Sequence, residues 1–287
     1  MRPVTSPRKF SRRDVVLGSA AIAGMGVIGA CDARSTARAP TSPPSSGAGT
    51  TAETPTAETP TGAQSTSEAS TTVPTVVEST STTATHSGPA EFIDRGSATA
   101  NRVALTFHAS GDRALAVALL DLLRERGTRV TVFAVGTWIA AHPDLGRRVL
   151  DDGHELGNHT LTHQEMGKLT RAQVRDEIVG GGAAIAPILG SVGPWFRPSG
   201  IKVPTAVILD EAGRAGYARS IGYSLDSLDF TDPGGAAVIA NVNNHVQSGD
   251  IISLHFGHQS TIDALPTILR HLATKGLEPV ALGTLLA

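Results

Sequence analysis

At 287 residues with a formal net charge of −2 and a pI near 6.5, the chain carries no basic surface of the kind that phosphate polymers require, which excludes nucleic acid as a partner. Its one cysteine, Cys31, excludes an intrachain disulfide. Composition is uneven along the chain, so the part able to bury a core is shorter than the whole.

The first element is an export signal: a basic stretch (Arg2, Arg8, Lys9, Arg12, Arg13), an uncharged run from Val15 to Ala30, and then Cys31. The run is too short and too rich in Gly and Ala for a membrane span, which needs about 20 strongly apolar residues. Ser11-Arg12-Arg13 supplies the paired arginines of a twin-arginine signal. Ile28-Gly29-Ala30-Cys31 resembles a bacterial lipobox, in which the cysteine thiol takes a diacylglycerol and becomes the new N-terminus. Two acyl chains suffice for stable anchoring where one is marginal. Residues 1–31 are therefore expected to direct the protein across the membrane and to leave it lipid-anchored outside the cytoplasm.

Residues 32–88 are dominated by Thr, Ser, Ala and Pro, repeat Thr-Ala-Glu-Thr-Pro over positions 51–60, and contain no Leu, Ile, Met, Phe, Trp or Tyr. Too little apolar surface is present to offset the entropy of ordering, so this segment is expected to be a disordered tether.

From residue 89 to 287 short apolar runs alternate with amphipathic stretches. The expected strands are 103–107, 130–135, 154–156, 218–224 and 251–255. The expected helices are 113–126, with Leu115, Leu119, Leu122 and Leu123 on one face, then 137–150, 171–189, 204–215, 236–246 and 262–274. Alternation of this kind implies parallel strands with helical crossovers, an α/β sheet or barrel whose chemistry gathers at the C-terminal ends of the strands. Polar residues recur at the expected ends: His108 to Asp112, His159 with His163, Asp226 with Asp229, and His255. His159 and His163, four apart, share a face if the segment is one helical turn, which would bring both imidazoles to one cation.

These residues resemble the polysaccharide deacetylases of carbohydrate esterase family 4, with their NodB-homology domain. The resemblance spans roughly residues 100–285. His159-Thr160-Leu161-Thr162-His163 resembles the family's H-[ST]-x-x-H metal motif, following a Gly-His-Glu-Leu-Gly-Asn stretch that begins at Gly153. Phe196-Arg197-Pro198 resembles its Arg-Pro motif, and Asp229-Phe230 its aspartate followed by an aromatic. His255 resembles its catalytic histidine. The resemblance implies a distorted (β/α) barrel and a divalent cation, zinc among the candidates, held by His159 and His163. Arg197 would hold a catalytic carboxylate or its substitute in place, and Asp229 would orient His255 and raise its pKa. It further implies hydrolysis of acetyl groups from an N-acetylated cell-wall polysaccharide. Location beyond the membrane favours peptidoglycan, with chitin or xylan as alternatives; oligomeric state is not legible. An amide is a poor electrophile with a poor leaving group, so a cation, a base and an acid for the departing amine suit the task, and His255 beside a carboxylate suits the acid.

The first motif departs from the family's Thr-Phe-Asp-Asp, reading Thr106-Phe107-His108-Ala109-Ser110-Gly111-Asp112. In the preferred assignment a bend at Ser110-Gly111 returns Asp112 to the cation and His108 is the base. In the reverse one His108 joins His159 and His163 as a ligand and Asp112 is the base. In a third the substitutions have left a carbohydrate-binding relic without turnover.

Overall fold

The computed structural model describes residues 88–287. The signal and Cys31, and all of the tether but its last residue, lie outside them. Chain order is β1 (Glu91–Ile93), β2 (Arg102–Ala109), α1 (Arg113–Glu125), β3 (Thr131–Ala134), α2 (Gly136–Ala141), α3 (Pro143–Asp151), β4 (Glu155–Asn158), α4 (Arg171–Leu189), α5 (Ala206–Arg214), β5 (Arg219–Ile221), β6 (Leu225–Asp226), α6 (Gly235–His245), β7 (Ile251–His255), α7 (Gln259–Thr274), β8 (Glu278–Val280) and α8 (Leu282–Leu285).

The strands pair in parallel in the order β4-β3-β2-β7-β6, with β8 also on β2 and a separate β1-β5 pair. Single bridges extend the wall, from Asn158 to Phe196, from Phe196 to Ser220 and, antiparallel, from Arg95 to Asp250. Continuation toward a barrel thus rests on bridges between individual residues. At the centre lies β2, whose Val103 to Ala109 are all buried. That burial on both faces is why this stretch is mostly apolar, as expected of a covered parallel strand, with Thr106 and His108 the exceptions. Full burial of one such side chain, Phe107, contributes about 1.5–3 kcal/mol. Against this sheet α1 buries Ala116, Leu119, Leu120 and Leu123, a face turned slightly from the expected one.

Three expectations needed correction. The single helix foreseen over 137–150 is two, broken at His142 (φ −132°, ψ 57°), because the proline ring of Pro143 disfavours helical backbone in the residue before it. The strand foreseen over 218–224 shortens to β5, Arg219–Ile221, and a separate β6 begins only after it, at Leu225. The turn from His159 to His163 is not helical: Thr160 (φ 66°) and His163 (φ 64°) are both left-handed.

Helix α4 starts from a capping box, with Thr170 and Gln173 satisfying each other's backbone N–H groups. Its three consecutive glycines, unfavourable for a helix, have a cause in packing. A Cβ on Gly181 would collide with Asn158 Oδ1 and lie 2.7 Å from the Thr160 carbonyl carbon, while one on Gly180 would lie 2.7 Å from Leu161 Cδ2. The bare helix backbone therefore rests directly on the segment that carries the paired histidines.

Candidate active site

Parallel register sets the first contact of the site. His108 on β2 is level with His255 on β7, and Ala134 on β3 with Asn158, the last residue of β4 before His159. Three histidines therefore emerge at one sheet edge, two from the adjacent β2 and β7 and one just after β4, on the far side of β3. The cleft there, about 240 Å³, is lined by His108, His159, His163, Lys202, Tyr223, Asp226, Phe230 and His255 among others.

A hydrogen-bonded chain crosses its floor. Arg197 Nη1 lies 3.0 Å from His108 Nε2, His108 Nδ1 lies 2.8 Å from His255 Nε2, and His255 Nδ1 lies 2.7 Å from Asp229 Oδ1. The protons on this chain have one arrangement. A guanidinium can only donate, so His108 Nε2 accepts and its Nδ1 carries the hydrogen; His255 Nε2 then accepts, and its Nδ1–H donates to the carboxylate. The far end is anchored by Asp229 Oδ2, which accepts from the His255 backbone N–H (2.8 Å) and Thr261 Oγ1 (2.6 Å). Burial alone would push the Asp229 carboxyl up, but the bonds from His255 and Thr261 outweigh it and hold it below the usual carboxylate range.

The near end is a fully buried cation. Arg197 donates to Ile221 O (3.1 Å), Gly222 O (2.8 Å) and Thr106 Oγ1 (2.9 Å) besides His108, and every one of these partners is neutral. Desolvation accordingly pushes the guanidinium down to about 9. Burial, helped by the neighbouring His159, also holds His108 well below the ordinary imidazole value.

His159 is fixed by the other end of the same arginine: its Nδ1–H donates to the Arg197 carbonyl at 2.9 Å. That tautomer leaves Nε2 as a bare lone pair, buried and without a partner. The ring stacks on His108 with centroids 4.2 Å apart, and the exposed His163 stands edge-on 4.9 Å away. Desolvation keeps both His159 and His163 below the ordinary value. Left-handed backbone at non-glycine residues costs of order 1–3 kcal/mol and persists where surroundings over-determine it. Here they do. Asn158 Oδ1 accepts the Thr160 N–H at 2.8 Å, Thr160 Oγ1 donates to Ser199, and Glu177 takes both the N–H and the hydroxyl of Thr162.

Of the predicted site residues, the structure gathers His108, His159, His163, Arg197, Asp229 and His255. Asp112 is not gathered. Its carboxylate caps α1, accepting the Leu115 N–H at 3.0 Å, and is exposed. The bend at Ser110-Gly111 turns away from the cleft because Trp138 Nε1–H holds the Gly111 carbonyl at 2.9 Å. Sequence reasoning missed Lys202 and Tyr223, which lie outside any spacing pattern, and Glu177, hidden within a helix.

The residues test two of the three ligand places for the cation that the resemblance implies. A histidine whose Nδ1–H is bonded to a carbonyl and whose Nε2 is bare fits a metal ligand with its outer partner in place, and His163 stands beside it. The set does not close: both nitrogens of His108 are used, Ala109 has no ligand atom, and Asp112 is elsewhere. Among the described residues no cluster of three or more His, Cys, Asp or Glu has metal-site geometry.

The polysaccharide deacetylase family signature matches residues 95–220. A peptidoglycan-N-acetylglucosamine deacetylase of Bacillus cereus is 31% identical over 193 residues, 64% of this chain and 87% of that protein. Among solved structures, a family 4 carbohydrate esterase from Streptomyces lividans in complex with acetate superposes with a TM-score of 0.56 at 32% identity, covering 62% of this chain and 91% of its own. A mutant of a Bacillus anthracis family 4 pseudoenzyme, with restored enzymatic activity, superposes at 0.65 and 25% identity, covering 70% and 72%. A parallel α/β fold with its cleft at the carboxyl edge of the sheet is the class to which these matches point. This chain belongs to the polysaccharide deacetylase family. Its relatives named as deacetylases are hydrolases of carbon–nitrogen bonds other than peptide bonds.

Proposed function

We propose that this protein removes acetyl groups from an N-acetylated cell-wall polysaccharide, peptidoglycan first among them, while anchored outside the cytoplasm by lipid on Cys31. The observation that carries this reading is the pairing, in one cleft, of the bare His159 Nε2 beside His163 with a His255 ring backed by Asp229. His159 and His163 would hold a divalent cation, zinc by the softness of its ligands, and such a group polarises an amide carbonyl and lowers the pKa of water. The chain's own residues supply the rest. Asp229 fixes the His255 tautomer so that Nε2 faces the cleft; once substrate replaces His108 as its partner and Nε2 has taken a proton from solvent, the ring gives that proton to the departing amine nitrogen. Arg197 holds His108 and, through its carbonyl, His159.

The test is acetate release from N-acetylated peptidoglycan by the purified protein, with metal content measured in parallel. Release that disappears in His255→Ala supports the reading. A second reading, glycan binding without turnover, is favoured by the two occupied nitrogens of His108 and by Ala109 in the first motif; glycan binding with neither bound metal nor acetate release would establish it.

A further inference from the structure

One cationic side chain on the cleft has no role in the chain of hydrogen bonds described above. Lys202 lines the mouth, exposed, with its Nζ 5.4 Å from the centroid of the Tyr223 ring. The same ring receives Arg197, whose Cζ lies 5.7 Å from that centroid. Two positive groups thus share one aromatic face-partner, and cation–π attraction gives the flexible lysine a preferred place at the mouth.

Among the described residues no carboxylate lies within ion-pairing distance of Lys202. The nearby acids are committed elsewhere. Asp226, which lines the cleft, accepts the Leu228 N–H at 3.0 Å. Asp229 is buried and taken by His255 and Thr261. Glu177 is held by Thr162 and Gln164. Arg197, for its part, has only neutral partners. The rim ammonium of Lys202 therefore stands without a carboxylate partner of its own, while Asp226 and Asp229 offset the charge of Arg197 within the cleft. A carboxylate that enters beside this ammonium can form a charge-assisted hydrogen bond that a neutral ligand group cannot.

We propose that Lys202 is a specificity residue that favours N-acetylated glycans bearing a carboxylate on the sugar beside the acetamido group over neutral ones. This rests on the glycan-binding reading of the cleft but not on turnover. A neutral N-acetylated polymer gains nothing from the rim ammonium, whereas a carboxylate on an ether arm of the sugar meets it as the acetamido group enters.

The experiment measures binding of the full-length protein by calorimetry at low and high salt to three oligosaccharides of equal length. One is a neutral N-acetylglucosamine oligomer, one carries free lactyl carboxylates on alternate sugars, and one carries the same arms capped as amides. The free acid is expected to bind roughly threefold to tenfold more tightly than either neutral glycan, in line with one partly exposed charge pair. The preference should shrink in high salt, collapse toward equality in Lys202→Gln and persist in Lys202→Arg. Equal binding of acid and amide by the unmodified protein, or a preference unaltered in Lys202→Gln, would overturn the role of Lys202 alone. Failure to bind all three would sink the glycan reading with it.

Discussion

The two ends of β4 each carry a buried histidine, and only one of them is equipped for chemistry. His154 precedes the strand, His159 follows it, and the Nε2 of each is buried without a partner. The difference lies in the other nitrogen. His154 Nδ1 accepts the Val130 backbone N–H at 3.3 Å, so its Nε2 carries a hydrogen with nothing to receive it. His159 Nδ1 donates to a carbonyl, so its Nε2 presents a lone pair. A stray donor suits a structural ring between strands, where Val130 gains an acceptor. A lone pair next to a second imidazole and across from an Asp-backed third is what a cation or a polarised substrate group requires. An unpaired nitrogen is thus not a mark of function until its proton is assigned.

The sharpest way to break this comparison is turnover. His159→Ala and His255→Ala are expected to lower acetate release per folded molecule by about 10²–10⁴, the usual loss for a removed acid–base group or ligand, whereas His154→Ala should leave it unchanged. Equal losses at both strand ends would refute the distinction. Stability should rank the other way. In His154→Ala the buried Val130 N–H loses its acceptor at a cost of about 1–3 kcal/mol, readable in a urea titration, which a result within error of the parent would contradict.

A third expectation concerns pH. Burial first of all holds His108, His154 and His159 below the ordinary imidazole value, so they stay neutral in the fold while the unfolded chain takes up protons as pH falls through about 6.5. With more protons on the unfolded state, stability declines on acidification, by at most about 1.4 kcal/mol per pH unit for each ring. Thermal midpoints should therefore drop between pH 7.5 and 5.5, and His154→Phe should flatten the slope by one ring's share; a profile equally steep in that variant would show that His154 is not among the responsible groups. The smallest effect is expected at Asp112. Asn caps a helix as well as Asp, so Asp112→Asn should change neither stability nor acetate release, while Asp112→Ala should cost about 1 kcal/mol of stability alone. A large loss of turnover in Asp112→Asn would return that residue to the cleft.

Much of this was legible in the residues. The strands β2 and β7 announced themselves because burial on both faces leaves runs that are mostly apolar, interrupted at Thr106 and Ser253, and the histidines toward their ends, His108 and His255, are adjacent in register. What failed had local causes. Pro143 split one helix, and β1 and β8, at three residues each, are too short to show a period. The segment from His159 to His163 places both rings on the cleft but not on a helical face, because spacing by four implies one only where the backbone is helical. Asp112 misled because a capping aspartate and a ligand aspartate look alike in sequence; only the indole of Trp138, which tethers Gly111, decides between them. Lys202 was invisible since no periodicity marks a loop residue whose importance lies in lacking a partner.

Arg197 has a consequence for how this site can change over generations. Its guanidinium already lies within hydrogen-bonding reach of the side chain at position 108, held there by carbonyls and a hydroxyl that do not depend on what that side chain is. Aspartate in place of histidine, a single-base change in the codon, would meet a waiting cation. The lineage can therefore exchange an imidazole for a carboxylate at the head of the chain, and back again, without rebuilding the wall behind it.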